Sequence, residues 1–464
     1  MTTHAGPSTV AVVTVRDPLG HGRQAEPIFV DVPVGHTSLV GRDDQGNVVP
    51  CQVLRHAEPP DGYQRVVLPV TVPPGSRAVE VMLQPGEWPA GIVRRPVTEV
   101  DAVVRLDTGY FELELCRGTG QGTTAAKWGI RHLVGTDDGV DLLPSGNNAI
   151  GGFYGPFFTP ENGLINPPEH VVADVEVVEE GPVLHRYRLT GVVPDGMLPE
   201  LRGKNFRIDW QFTLGCPWFE RHYHVDDFET VIDGRHIRDK ITVGDEFESG
   251  PHALVFDRFD SYAGVTYRSG DPYAELLARQ VQDILAPERL AHAPRLRQFR
   301  SDMGPDIAQA SWDFYWRLFS AWEGVLDEPE LRRRLAAVRD QAHRAIDEPG
   351  RRWRIERSSV DVAAVPDETI FPVAATKTVE YQQATGKAMV WWTSQPSGRF
   401  QIVQRRQSGW VNWGTNGENE CPELPTGTTI RTAYGRFAEN WRDIADALET
   451  PLVSTMSATG EDRH

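Results

Sequence analysis

Two histidines one residue apart mark the most chemically suggestive segment of the chain, Arg221-His222-Tyr223-His224-Val225-Asp226-Asp227. On a β-strand, alternate side chains share a face. His222, His224 and Asp226 then point one way, and Tyr223, Val225 and Asp227 the other. Two imidazoles on one face can share a metal ion or exchange a proton with a substrate. A half-exposed strand with hydrogen-bonded histidines would show the same alternation. Downstream, Asp233-Gly234 suits a hairpin turn that returns His236 and Arg238 toward the histidine strand.

A second segment, Gly409-Trp410-Val411-Asn412-Trp413-Gly414-Thr415-Asn416-Gly417-Glu418-Asn419-Glu420, mixes tryptophans, amides and carboxylates. Sugars are held this way: aromatic faces cover C–H surfaces, while amides and carboxylates take up hydroxyls. Trp410, Trp413 and Asn416 are therefore candidate substrate contacts. Glu418 and Glu420 are candidates for a general acid and base pair, or for cation ligands. A third stretch, residues 145–163, is rich in glycine and aromatics and offers Asn147, Asn148 and Tyr154. Long irregular loops inside a domain are often functional. Trp128, Arg131 and His132 lie just upstream, and Arg131 joins Asn147, Asn148, His236 and Arg238 as a candidate binding residue.

These groups suit cleavage beside a uronic acid. Such a lyase neutralises the carboxylate, removes the C5 proton and protonates the leaving oxygen. Histidine, tyrosine, asparagine and arginine can cover those roles, with His222, His224 and Tyr154 as the catalytic set. Hydrolysis would instead need two carboxyl groups across one cleft, from Glu418, Glu420, Asp226 and Asp227. No GxGxxG, GxSxG, HExxH or phosphate loop stands in a convincing context. No cofactor is expected, and a divalent cation stays open.

The elements that position these residues read as mainly β. Residues 1–97 hold short β-branched runs separated by turn chemistry, such as Asp43-Asp44-Gln45-Gly46 and Pro73-Pro74-Gly75, and predict a small β barrel or sandwich. Prolines 33, 69 and 73 point to strand ends and sheet edges. Residues 98–269 carry longer alternating strands. In one of them Phe111, Leu113 and Leu115 share a face opposite Glu112 and Glu114. Residues 270–349 show helical spacing, opened by Asp271-Pro272, with a dense aromatic stretch from Trp312 to Trp322. Strands return over 350–453, ending with a short helix near 439–448. Residues 454–464 are small and polar and predict a flexible tail. The fold class expected is a small N-terminal β unit followed by a large antiparallel β supersandwich with a helical insertion.

The chain has 464 residues, enough for two or three structural units. Asp and Glu total 65 against 47 Lys and Arg, a formal charge of -18 that argues against a nucleic-acid partner. The four cysteines are far apart, which argues against a disulfide framework or zinc knuckle. No run is apolar enough for a membrane span and no signal peptide is evident, so cytoplasm is the expected location. The aromatic helical block is a candidate surface for homo-oligomerisation.

Two segments carry a resemblance. The run Val12-Val13-Thr14-Val15-Arg16-Asp17-Pro18-Leu19-Gly20, taken with residues 43–53, resembles the small N-terminal barrel of rhamnogalacturonan exo-lyase-like proteins. It also resembles the β domain of retaining α-mannosidases. Residues 109–115 and 177–183 are similar to the opening strands of galactose-mutarotase-like supersandwiches. The resemblance implies a carbohydrate substrate and a long sheet as binding face, and carries over no catalytic residue. The chain lacks the exo-lyases' helical toroid and the mannosidases' catalytic barrel. The expectation is thus an enzyme that cleaves glycosidic bonds of oligosaccharides, with elimination on uronic-acid-containing sugars ahead of hydrolysis. A sugar epimerase or mutarotase-like enzyme and a non-catalytic carbohydrate-binding subunit are the alternatives.

Overall fold

The computed structural model describes residues 9–76, 78–88, 90–97, 102–119, 128–137, 139, 149–150, 172–192, 205–225, 230–232, 235–237, 243–248, 258–262, 360–361, 377–394, 400–405, 410–415 and 427–458. The expected helical block, residues 270–349, lies outside them.

In the strand Ala11–Arg16, Ala11, Val13 and Val15 are buried while the residues between them face out. Such two-residue alternation builds a sheet with one apolar face. That strand sits second in a five-stranded sheet, flanked by Val453–Ala458 and Val79–Pro85, with Leu39–Asp43 and Val48–Pro50 beyond. A three-stranded sheet of Arg23–Pro33, Tyr63–Val72 and Gln52–Val53 supplies Ile28, Val30, Val32, Val66, Leu68 and Val70 to the same core. Among the described residues this unit is a sandwich of two sheets. Pro69 does not mark an edge: Tyr63–Val72 is the central strand. Its missing N–H is tolerated because Pro69 stands opposite Pro27, and Gln52–Val53 pairs only with Val67 and Val66.

The C-terminal end departs from expectation. Residues 453–458 form a strand paired antiparallel with Ala11–Arg16, from Arg16↔Val453 to Ala11↔Ala458. The flexible tail expected over 454–464 is corrected for 454–458, where backbone pairing holds mostly small, partly exposed residues and Met456 packs on the core; residues 459–464 lie outside the described residues. The large unit also begins earlier than residue 98, because Val93–Arg95 pairs with Ala102–Asp107.

The large unit has two antiparallel sheets. The eight-stranded one runs Phe400–Arg405, Trp410–Thr415, Val243–Glu248, Ala149–Ile150, Gly129–Gly135, Phe111–Cys116, Ala102–Asp107, Val93–Arg95. The ten-stranded one contains a four-strand meander, Val172–Glu180, Leu184–Val192, Asn205–Thr213 and Trp218–Val225. Thr429–Gly435, Ala388–Thr393, Lys377–Tyr381 and Arg258–Tyr262 continue it, and two-residue strands end it. Aromatic rings join the sheets: Phe111 meets Phe219 edge-on at 6.0 Å, and Trp128 lies 5.0 Å from Phe206. Arg221 is fully buried here, its guanidinium 5.8 Å from the ring centroids of Trp210 and Phe219 and donating to Thr432 Oγ1 at 2.8 Å.

On the opposite face of the ten-stranded sheet lies the one helix among the described residues, Trp441–Glu449. It buries Trp441, Ala445 and Leu448 against Trp218, Val379, Val390 and Ala433. Its last turn contains no basic residue, so cations come from elsewhere. Arg23 of the small unit donates to Ala447 O at 2.7 Å and Thr450 O at 2.8 Å. Arg431 donates to Leu448 O, and Lys377 pairs with Asp446 and Glu449. Arg23 also pairs with Asp17 at 3.1 Å and Glu26 at 3.0 Å, with these side chains almost wholly buried. Burial pushes the Asp17 carboxyl up, but the N–H of Leu19, Arg23 and the N–H of Gly22 outweigh it and hold it below its ordinary value. At Glu26 burial wins over Arg23, and the carboxyl is raised.

A second contact joins the units. Gln52 accepts from the N–H groups of Val183 and Leu184 at 3.0 and 2.8 Å, and donates to Glu179 at 3.2 Å and Leu184 O at 3.3 Å. Glu179 in turn accepts from the N–H groups of Arg55 and His56. A Cβ on Gly181 would lie 2.3 Å from Gln52 Cδ, so only glycine fits while Gln52 keeps these bonds.

Arg23→Met deprives two buried carboxylates of their guanidinium and should destabilise the protein by about 3–5 kcal/mol in urea unfolding. A loss under about 0.5 kcal/mol, ordinary for a surface site, would show that the cluster contributes no more than surface charges do. Gly181→Ala overpacks Gln52 and should cost about 1–3 kcal/mol, with Gln52→Ala in the same background recovering the steric part of that loss.

Candidate functional site

Along Trp218–Val225, Phe219, Arg221 and Tyr223 are buried, and Phe219 touches the eight-stranded sheet through Phe111. The alternate residues, Glu220, His222 and His224, face the other way and are half-buried. The two imidazoles expected on one face are therefore together, with ring centroids 4.4 Å apart at an interplanar angle of 69°. Asp226, expected beside them, lies outside the described residues.

Neighbouring strands complete the patch. Residues facing one another across strands form one row of Thr429, His222, Asp209 and Arg188, and a second of His224 and Arg207. His222 Nδ1 is 2.7 Å from Thr429 Oγ1, so Nε2 is the nitrogen left for a ligand. Asp209 is the hub of the patch. Its Oδ1 accepts from Arg188 Nε at 2.8 Å, while Oδ2 lies 3.3 Å from Arg207 Nε and 3.7 Å from His224 Nε2. That leaves His224 Nδ1 without a partner among the described residues. A third row, Trp392, Arg431, Glu220, Gln211 and Arg186, borders the patch. Arg431 there lies between the rings of Trp218 and Trp392, 5.2 and 5.0 Å from their centroids, and donates to Glu220 at 2.8 Å.

Burial lowers the basicity of His224, and Arg207, His222 and Arg188 act in the same direction. Asp209 opposes them without overcoming them. His224 is thus held neutral around pH 7, with a lone pair available to take a proton. The guanidinium of Arg207 beside it can receive an anionic group. A neutral imidazole, a second imidazole and a guanidinium, all partly exposed on one sheet face, suit proton transfer on an anionic, hydroxylated molecule.

The other expected residues are distributed differently. Arg131 lies on Gly129–Gly135 in the eight-stranded sheet, buried at 7% exposure and opposite the buried Glu114. Trp410 and Trp413 belong to Trp410–Thr415 of that same sheet, opposite Glu248 and Asp245. His236 stands on Arg235–Ile237, paired with Thr230–Ile232 in a two-stranded sheet that is separate from the sheet of the histidine strand. His222 and His224 face away from the sheet that carries Arg131, Trp410 and Trp413. Asn147, Asn148, Tyr154, Arg238, Asn416, Glu418 and Glu420 lie outside the described residues. No group of three or more potential metal ligands occurs among the described residues, and no helix among them is long and apolar enough to cross a membrane. Sequence reasoning missed Asp209, Arg207, Arg188 and Thr429. The signal for the first two was present in Asn205–Thr213, where Arg207, Asp209 and Gln211 alternate with the buried Phe206, Ile208, Trp210 and Phe212.

No protein-family model matches the chain, and no curated protein matches it. Among solved structures it is similar to an alpha-mannosidase from Enterococcus faecalis, at 10% identity and TM-score 0.48, over 98% of this chain and 47% of that one. It is similar to a protein in the glycosyl hydrolase family 38 from Enterococcus faecalis, at 10% identity and TM-score 0.49, over 99% of this chain and 49% of the other. It is also similar to a protein assigned as an aldose 1-epimerase from Klebsiella pneumoniae, at 8% identity and TM-score 0.30, over 91% and 94% of the two chains. The chain spans about half the length of the first two. At identities and TM-scores this low, the likenesses assign neither a reaction nor a residue to this chain.

The electrostatics of the patch can be read by NMR titration of the histidine rings. His224 should titrate below the ordinary imidazole value of about 6.5. Arg207→Gln should move it up and Asp209→Asn should move it down. An unchanged His224 midpoint in both variants would refute the coupling.

Proposed function

We propose that this chain is a carbohydrate-active enzyme that cleaves uronic-acid-containing oligosaccharides by β-elimination at the His222–His224 patch. The observation that carries the reading is the pair of adjacent imidazoles on one sheet face, with Arg207 directly across from His224. Arg207 takes the uronate carboxylate, which stabilises the negative charge that builds when the neighbouring carbon loses its proton. His224 accepts that C5 proton. The C5–H electron pair becomes the C4–C5 double bond, the C4–O bond breaks, and the leaving oxygen takes a proton from His222 in its cationic form. Thr429 orients His222, and Asp209 positions His224 and Arg207.

Elimination is preferred to hydrolysis by paired carboxylates because, among the described residues, the carboxylates next to the imidazoles are already engaged. Asp209 is held by Arg188, and Glu220 by Arg431, each at 2.8 Å. The oligosaccharide is the partner this reading requires.

The test is incubation of the full chain with uronic-acid-containing and neutral oligosaccharides, following absorbance of the conjugated double bond and product mass together. Expected is a rise in absorbance with no added water, slowed by roughly a hundredfold or more in His222→Ala and in His224→Ala. Circular dichroism and thermal unfolding should stay as in the parent. Products heavier by one water without absorbance, or full rates in both variants, would refute the reading.

A further inference from the structure

Both imidazoles approach any ligand from the same side. His222 and His224 project from one face of one strand, and the sheet itself lies behind them, with Phe219, Arg221 and Tyr223 filling its other face. A sugar ring lying on this face presents one of its two sides to both nitrogens. The hydrogen on C5 and the oxygen on C4 sit on adjacent carbons. Rings 4.4 Å apart can therefore serve both atoms, provided that the hydrogen and the oxygen leave from the same side. Elimination of opposed groups would need acid and base on opposite sides of the ring. The patch supplies both from one.

Arg207 fixes the direction in which the ring lies. It is the cross-strand partner of His224, its Nε is buried beside Asp209, and its side chain as a whole is 39% exposed. A carboxylate on its guanidinium places C5 against His224. C4 then falls toward His222, one row away.

From this placement we infer that the site carries out syn elimination, and so selects 4-linked uronides in which H5 and O4 lie on the same side of the ring. These are the D-gluco and D-manno configurations. In the D-galacto and L-gulo configurations the two groups are on opposite sides, and the paired imidazoles cannot reach both. This inference rests on the elimination reading and adds the stereochemical class of the substrate. It also makes Arg207 the specificity residue for the carboxylate.

The experiment compares four sets of 4-linked oligosaccharides of equal length, built from glucuronate, mannuronate, galacturonate and guluronate, with the full chain and absorbance of the double bond as readout. Expected is turnover of the gluco- or manno-configured set at least about tenfold faster than either of the others. Methyl esterification of the preferred substrate should raise KM by about tenfold or more in the parent, and should matter little in Arg207→Gln. That variant should also shift the acid limb of the pH–rate profile upward, since the guanidinium no longer depresses His224, an effect that simple loss of packing would not produce. Faster cleavage of galacturonides or guluronides that still depends on His222 and His224 would overturn the syn inference and leave elimination standing. No new double bond from any of the four would overturn both.

Discussion

The C-terminus of the Trp441–Glu449 helix gathers three cations from three parts of the chain, and the arrangement of the two units follows from that meeting. A helix end leaves carbonyls without intrahelical partners and carries the negative end of the peptide dipoles. This helix ends in its own carboxylates, Asp446 and Glu449, which sharpen the demand for positive charge. Arg23 answers it from the small unit, Arg431 from the middle of the ten-stranded sheet, and Lys377 from a strand further along that sheet. Arg23 and Lys377 are nearly removed from solvent and Arg431 is partly buried, and each is paired with carboxylates. Moving the small unit would uncover a buried guanidinium and two buried carboxylates together, a change resisted far more strongly than the separation of surface charges.

The same arrangement decides which part of the ten-stranded sheet is left uncovered by the other described residues. The helix covers one end of its outer face. The small unit is tied to the hairpin between Val172–Glu180 and Leu184–Val192 through Gln52 and Glu179. Between these anchors lies the polar face with His222, His224, Arg207 and Asp209. Arg431 links the two regions: it satisfies the helix carbonyl at Leu448 and holds Glu220, the residue next along the strand face from His222. The patch is thereby built on strands whose registry is fixed from both sides, a rigid footing for the side chains it carries.

Strand periodicity made much of this legible. The alternation in Leu184–Val192 follows from burial of one face, and the separation of His222 and His224 from Tyr223 is the same rule applied to one strand; in Phe111–Cys116 the rule fails at Glu114, which is buried together with Phe111, Leu113 and Leu115. What could not be read was pairing. Asp209, Arg207, Arg188 and Thr429 reach the histidines only through cross-strand register, and Thr429 comes from a strand far along the chain. Local spacing carries no record of which strands adjoin. The strand Val453–Ala458 was hidden for a different reason. Ser454, Thr455, Ser457 and Ala458 offer little apolar signal, and the segment is held by backbone hydrogen bonds to Ala11–Arg16. Pro69 misled because a proline rule framed for full ladders does not apply where the third strand stops short.

The pairing of Val453–Ala458 with Ala11–Arg16 has a consequence for how the molecule is made. Arg23 meets Thr450 across 427 residues of chain. While a ribosome works through that length, Ala11–Arg16 stands as an open sheet edge and the guanidinium of Arg23 lacks its helix. Nascent small units on neighbouring ribosomes carry the same unfilled edge, a template for pairing with the wrong chain. Most of the small unit is therefore synthesised well before the strand and helix end that complete it.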